Sequence, residues 1–530
     1  MIAHTESHEM PTATPKGKPK NTPQNKPPTM PKNKPTSMSK RTKKAASATS
    51  AQTHTRIESD SMGEMHVHHE LLHGATTQRA VLNFPVSGRP LPPQVIASYL
   101  ELKRACAQAN LKLGELKRAK ANDIVESCER LLEDFADRRA QVMRHFPIDI
   151  YQTGSGTSTN MNVNEVIANT ASVMRGKPIG SKDPLHPNDD VNYGQSSNDT
   201  FPTAMQVAGA VAIHEQLVPA LKRLHRALDA KAKAWDKHVK IGRTHLMDAT
   251  PIRVGQEFGG YAAAIAYAVA RAELARDVLA RNLPIGGTAV GTGINANPKF
   301  GRTVSAILSK DLGITFTEAA NHFEAQATRD CVVEASGMLK TIAVSMSKIA
   351  NDIRWLGSGP RCGLGELMLP ATQPGSSIMP GKINPVICES VMMVACRVVG
   401  NDACITLGGF GGIGSLLELN VAMPMIADSL CESIDLLANA CDMFRDKCIE
   451  GLELHPDASK TVERSLMMVT SLAPVIGYDN AAKAAKEAYK SGETIRAYVL
   501  RNKMVEPKLL DRLLDPTSMT KPGGKGPGGG

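Results

Sequence analysis

Aromatic residues are scarce in this chain, at 4% of 530 positions with two tryptophans, and alternating apolar–polar runs are few. That shortage argues against a sandwich or barrel of half-buried strands. The ten cysteines are scattered from Cys106 to Cys448, with no Cys-x-x-Cys pair and no Cys/His cluster. Zinc and iron–sulfur centres need such spacing, so neither is expected, and scattered free thiols fit a reducing compartment. No uninterrupted apolar run reaches the ~18 residues that would cross a bilayer. The Ala-rich stretch from Tyr261 to Ala270 is too short and ends at Arg271. An apolar secretory core is missing from the start of the chain. Its Lys, Pro and Thr also differ from the Arg-rich amphipathic presequences of organelles. A cytoplasmic protein is therefore expected, a mitochondrial one less so.

Acidic residues are almost absent from the first 55 positions, where Glu6 and Glu9 face ten Lys/Arg, a net of +8. Lys521 and Lys525 account for the rest of the formal +10, so the stretch between is neutral. The basicity belongs to the tails and does not mark a nucleic-acid binder. Residues 1–56 read as a disordered leader, because their composition cannot bury enough surface to offset ordering entropy. Residues 520–530 read as a flexible Gly-rich tail.

Helical periodicity fills the remainder. Val332, Ala335, Leu339, Ile342, Met346, Ile349 and Ile353 step by three and four, which places them on one seam of a helix of about 20 residues. Further long helices are predicted over 203–238, kinked at Pro219, and over 255–282. The fold class is mostly all-α, with a central bundle of long helices flanked by smaller domains. The expected divisions are 57–195, 196–452 for the bundle, and 453–519 for a small helical C-terminal domain.

Chemistry concentrates in four polar segments, each expected to lead into a helix. They are Gly154–Asn162; His186–Asp190 continuing to Gln195–Asp199; Gly242–His245 with Gln256-Glu257; and Gly375–Pro385 with Glu389 after it. Hydroxyls, amides and backbone N–H groups at helix starts bind carboxylates, and the same residues also serve as plain caps. Asn384-Pro385 reads as such a cap, with proline at the first helical position.

The fourth segment, Gly375-Ser376-Ser377-Ile378-Met379-Pro380-Gly381-Lys382-Ile383-Asn384, resembles the signature of the fumarase/aspartase superfamily. Within it, Gly154-Ser155-Gly156-Thr157, the run Asn160-Met161-Asn162-Val163-Asn164-Glu165-Val166, Ser196-Ser197-Asn198 and Asn351–Arg361 are similar to the iron-independent (class II) fumarases. The resemblance runs from about Ile57 to Met519. It implies reversible anti addition of water to fumarate, giving malate through an aci-carboxylate carbanion, with no metal and no cofactor. It further implies Ser376 as the group that takes the C3 proton, His245 as the partner at the hydroxyl, and Glu389 as the orienter of that imidazole. Ser155, Gly156, Thr157, Ser196, Ser197, Asn198, Thr244, Ser377, Lys382 and Asn384 are implied as substrate-binding. His186, Asn188 and Asp189 match a second dicarboxylate site. Asp183 stands there in place of a basic residue and Tyr193-Gly194 in place of Lys-Ser, which weakens that site. Ala422-Met423 replaces an aromatic–Lys pair. The implied assembly is a homotetramer with sites shared between chains, His245 and Ser376 coming from different ones, and no nucleic-acid or membrane partner. The rivals are an aspartase-type ammonia lyase and a non-catalytic structural protein of the same fold. A metal site at His66, His68 and His69 lacks carboxylate or Cys ligands at suitable spacing.

Overall fold

The computed structural model describes residues 54–523. The leader as far as Thr53 and the tail from Gly524 lie outside the described residues. Chain order begins with a hairpin of β1 (Thr55–Asp60) and β2 (Gly63–His68), then α1 (Ala75–Asn83), α2 (Pro93–Leu113), α3 (Arg118–Met143) and α4 (Thr157–Met174). Next come α5 (Ser197–Ala212), α6 (Val218–Ala234), a second hairpin of β3 (Val239–Thr244) and β4 (Met247–Arg253), and α7 (Val254–Ala280). The series continues with α8 (Phe300–Leu312), α9 (His322–Ala327), α10 (Asp330–Leu356), α11 (Val386–Gly409) and α12 (Met423–Phe444). Two expected boundaries shift. β1 begins at Thr55, inside the expected leader, because Arg56 is held by Glu58 and by the carbonyls of His68 and His73. At the other end Thr520 is buried and its carbonyl accepts from Gln256, so the ordered chain runs past the expected tail start.

The seam of α10 is as the periodicity predicts: all seven residues are at most 1% exposed. The expected helix over 203–238 begins earlier, at Ser197, and is broken by one π-helical turn at Ile213–Leu217 just ahead of Pro219. Proline has no N–H to give its preceding turn, and the wider turn absorbs that loss. α5 and α6 together run antiparallel to α7. Gln206 donates to the Leu279 and Arg281 carbonyls at the far end of α7, and His225 Nδ1 lies 2.9 Å from the Ala262 carbonyl nearer its start. α10 runs back along α7, with Tyr261 Oη donating to Asp352 at 3.0 Å, and α11 and α12 complete the bundle. One apolar core spans Leu91 to Leu452 without a break between 195 and 196. A separate core joins Ile241 to residues 462–514.

No uninterrupted apolar run reaches ~18 residues, as the sequence reading has it, but α11 shows what counting runs leaves out. Its 24 residues are long and apolar enough to cross a membrane by length and composition, with a mean hydropathy of 1.4, although only 39% of that window is buried. Glu389, Arg397 and Asp402 interrupt the apolar letters of the sequence, yet they are spaced so widely that the helix as a whole stays apolar. Met393, Val399 and Leu407 on it are 66%, 42% and 50% exposed.

Candidate functional site

The first two polar segments meet. Gly156 caps α4 with φ +73°, and a Cβ there would lie 2.0 Å from the Phe201 ring, so only glycine lets α4 and α5 start side by side. The two helix starts are stitched by hydroxyls: Ser155 Oγ to Thr157 Oγ1 at 2.8 Å, and Thr157 Oγ1 to Ser197 Oγ at 2.8 Å. Ser197 donates to Asn198 Oδ1, and Asn198 Nδ2 donates to the Ala289 carbonyl at 2.8 Å. Ser196 is a helix cap: its hydroxyl accepts from Asn198 N, while Asp199 accepts from Ser196 N in a reciprocal box. Behind this face, Lys103 is fully buried and donates to Asn192 and Gln195 at 2.9 Å. Burial pushes its ammonium down to about 8.

The third segment departs from expectation. Gly242–His245 leads into a hairpin, not a helix, and His245 and Leu246 form its two-residue turn with φ of +57° and +62°. Positive φ at both turn positions matches the twist of paired strands. Thr244 and His245 are exposed at this tip. The hairpin base is held by charge. Lys240 Nζ lies 2.7 Å from Glu366 and 2.9 Å from Glu257, and Arg243 Nη1 lies 2.7 Å from Glu366, whose side chain is 2% exposed.

The fourth segment is a loop closed on itself. Gly375 N donates to the Lys382 carbonyl at 2.8 Å, and a Cβ at Gly375 would meet that oxygen at 2.4 Å. Ser376 Oγ accepts from Ile378 N at 3.3 Å and Met379 N at 3.1 Å, so two amides point at the hydroxyl oxygen. The expected cap at Asn384 is absent: α11 begins at Val386 after Pro385, and Asn384 Nδ2 instead donates to the Gly375 carbonyl at 2.7 Å. Ser377, Lys382 and Glu389 are exposed, and Ile378 is 83% exposed.

Placement along the bundle sorts these groups. Ser155, Gly156, Thr157, Ser196, Ser197 and Asn198 sit at the start of α5. Thr244, His245, Ser376, Ser377, Lys382, Asn384 and Glu389 sit where α6 ends and where α7 and α11 begin. The 38 residues from Ser197 to Ala234 span roughly 55 Å at 1.5 Å per residue, so one chain does not bring the two groups together. Within one subunit His245 and Ser376 share an end of the bundle, because Glu366 ties the His245 hairpin to the stretch that leads into the Ser376 loop.

His186 Nδ1 accepts from Asn188 N and Asp189 N and lies 3.3 Å from the Asp189 carboxylate. A cavity of about 380 Å³ beside His186 and Asn188 is also lined by Glu58, Asp60 and Glu165. Asp183 pairs with Lys177 at 3.1 Å. Sequence reading gave no role to Lys103, Lys240 or Glu366; all three are buried charges in a neutral stretch, and spacing alone does not show what they meet.

Comparison with known proteins fits this arrangement. A lyase family profile matches residues 63–400, and a profile for the C-terminus of fumarase C matches 468–521. "Fumarate hydratase class II 2" of Bradyrhizobium diazoefficiens is 47% identical over 481 residues, covering 91% of this chain and all of the relative. The human protein named "Fumarate hydratase, mitochondrial" is 45% identical over 480 residues, covering 90% of this chain and 92% of its own length. The crystal structure of class II fumarase from Schistosoma mansoni superposes with a TM-score of 0.84 at 36% identity, covering 88% of this chain and 99% of that one. With identity at this level across nearly the whole length, the chain belongs to the class II fumarate hydratase family.

Proposed function

We infer that this fumarate hydratase, a hydro-lyase, interconverts fumarate and malate in a site completed by segments from the two ends of the bundle on different chains. The carrying observation is the roughly 55 Å between the Ser197 end and the His245 end of one subunit. A dicarboxylate is far shorter, so a second copy must bring the other half. The exposed apolar residues of α11 and of the Ser376 loop supply a surface for that copy, and a homotetramer closes such contacts by symmetry.

In the dehydration of malate, Ser376 takes the C3 proton. The Ile378 and Met379 amides stabilise its alkoxide, and the Lys382 ammonium adds positive charge. Negative charge then develops on the adjacent carboxylate, held by Lys382 and Asn384 in place before the step. His245 gives a proton to the departing hydroxyl, with Glu389 orienting its ring, and fumarate and water are released. Hydration runs the same steps backward. Ser155, Thr157, Ser197, Asn198 and Thr244 hold the substrate's oxygens. His186, Asn188 and Asp189 form a weak second dicarboxylate site, because Glu58, Asp60 and Glu165 outnumber Arg79 and Lys182 around the cavity beside His186 and Asn188. The enzyme works in the cytoplasm, as the Lys/Pro/Thr composition of the leader supports, and supplies the tricarboxylic acid cycle.

The test is an ultraviolet assay of fumarate's conjugated double bond. Purified protein should form fumarate from malate without added metal, with full activity in a chelator. Dependence on added iron, or faster release of fumarate from aspartate than from malate, overturns the reading.

A further inference from the structure

Asp199 lies one residue beyond the hydroxyl and amide face that starts α5, and its carboxylate is fully buried. Oδ1 accepts from Ser196 N at 2.9 Å, while Oδ2 accepts from Gly286 N at 3.1 Å and Thr288 N at 2.9 Å. The turn it grips is strained. Thr288 is buried and has φ +54°, a left-handed conformation that β-branched residues avoid. Such a residue persists only where its neighbours over-determine it. Here the Thr288 N–H is taken by Asp199, its carbonyl accepts from Gln326 Nε2 at 2.8 Å, and the next carbonyl, Ala289, accepts from Asn198 Nδ2 at 2.8 Å.

We propose that Asp199 is a positioning residue, whose buried carboxylate clamps the strained Gly286–Ala289 turn to the start of α5 and so aims Ser197 and Asn198 at the substrate. The proposal rests on the site described above, but it assigns a function to a residue that touches no substrate. Asn198 is the link. Its amide is fixed by Ala289, so if the turn relaxes, Asn198 swings with it, and the Ser197 hydroxyl that bonds Asn198 Oδ1 loses its direction. The proton-transfer groups come to the site from another chain and keep their own supports, so the turn does not hold them. The clamp therefore governs how tightly the dicarboxylate is held rather than how fast it reacts.

An asparagine at 199 keeps the shape but offers one acceptor oxygen where three N–H groups point. In the assembled enzyme, Asp199→Asn should raise KM for fumarate at least tenfold with kcat changed less than threefold, and should weaken inhibition by succinate in parallel. A merely structural role predicts the reverse, fewer active molecules and hence lower kcat at unchanged KM, and KM within twofold of wild type overturns the proposal. If Asp199→Asn does not yield soluble protein, Gln326→Leu releases the same turn from its other side. It should raise KM at least threefold at unchanged kcat, and an unchanged KM there overturns the proposal equally. Wild-type protein that fails to hydrate fumarate contradicts the parent reading instead, so the two failures are distinct.

Discussion

The two ends of the bundle hold their polar groups by different physics. At the Ser197 end, hydroxyls and amides are buried or half-buried and bonded to one another, and the central charge, Asp199, is met by backbone N–H groups. Such a site is formed before anything binds. At the His245 end, Thr244, His245, Ser377, Lys382 and Glu389 stand exposed on a hairpin tip, a loop and the first turn of α11, with Ser376 and Asn384 half-buried in that loop. The hairpin is fixed at its base, by the buried Glu366 between Lys240 and Arg243, and the loop by its own backbone bonds to Ser376 and Asn384. Exposed charge carries no directional preference until another surface closes over it. On the proposed function, the first end is a preformed cradle for a dicarboxylate and the second is half a site, whose reactive groups take their geometry from a neighbouring chain.

Substitutions at the two ends should therefore fail in different ways. The largest effect is expected from Ser376→Ala and His245→Asn, each lowering kcat by roughly 10²–10⁴, the usual scale for losing a proton-transfer group. Their melting temperatures should stay within about 2 °C of wild type, since neither side chain fills the core. A large fall in melting temperature with near-normal kcat would reassign them as structural. Next comes Glu366→Gln, which leaves Lys240 with Glu257 and takes from Arg243 its carboxylate partner. Breaking a buried ion pair costs about 3–5 kcal/mol, and denaturant unfolding should show it. In the tetramer that survives, kcat should fall while KM holds, opposite to Asp199→Asn. A KM effect alone would erase the contrast between the ends.

A smaller effect concerns pH. Burial raises the Asp199 carboxyl to about 6 from an ordinary 3.8. The folded state then binds its proton more tightly than the unfolded one, so the stability this group contributes is complete below pH 3.8 and is lost as pH rises through 6. The wild-type advantage over Asp199→Asn should shrink by up to about 3 kcal/mol across that window, read as a difference between the two unfolding curves. An advantage that grows with pH would mean that the three N–H contacts outweigh burial. The smallest effect is expected from deleting residues 1–53. Loss of this Lys/Pro/Thr-rich stretch should leave kcat/KM and melting temperature within experimental error, whereas loss of folding would give the leader a structural role.

Much of the scaffold was legible in the sequence because periodicity reports burial directly. The α10 seam is the clearest case, and Pro219 marked the break between α5 and α6 within a few residues. The hairpin that carries His245 was not legible. Its turn, His245-Leu246, has none of the glycine or asparagine that announces positive φ, and a β-bulge between Ile241 and Arg243 blurs the strand alternation. The apolar character of α11 was missed because its three charges break the apolar run in sequence but not on the helix surface. Candidate site residues were read from signature motifs, whereas their grouping was not legible. Spacing placed Ser155, Ser197 and Ser376 on separate segments, and only the antiparallel run of α5 and α6 along α7 shows which share an end. The Thr288 turn gave no signal at all, since strain belongs to the backbone and not to the residue letters.

Whether the two ends meet across chains is tested most directly by complementation between them. Assayed with substrate far below KM, where the rate follows kcat/KM, Asn198→Ala disables the cradle and His245→Asn the reactive end, each leaving little activity. The two proteins are unfolded, mixed equally and refolded into tetramers. If each site takes its Ser197 end and its His245 end from different chains, random assembly restores both halves in about a quarter of sites. Activity should recover to about that fraction of wild type. A mixture that forms stable tetramers yet stays as inactive as its parents would show that a single chain supplies both halves, and the account of a shared site would be wrong.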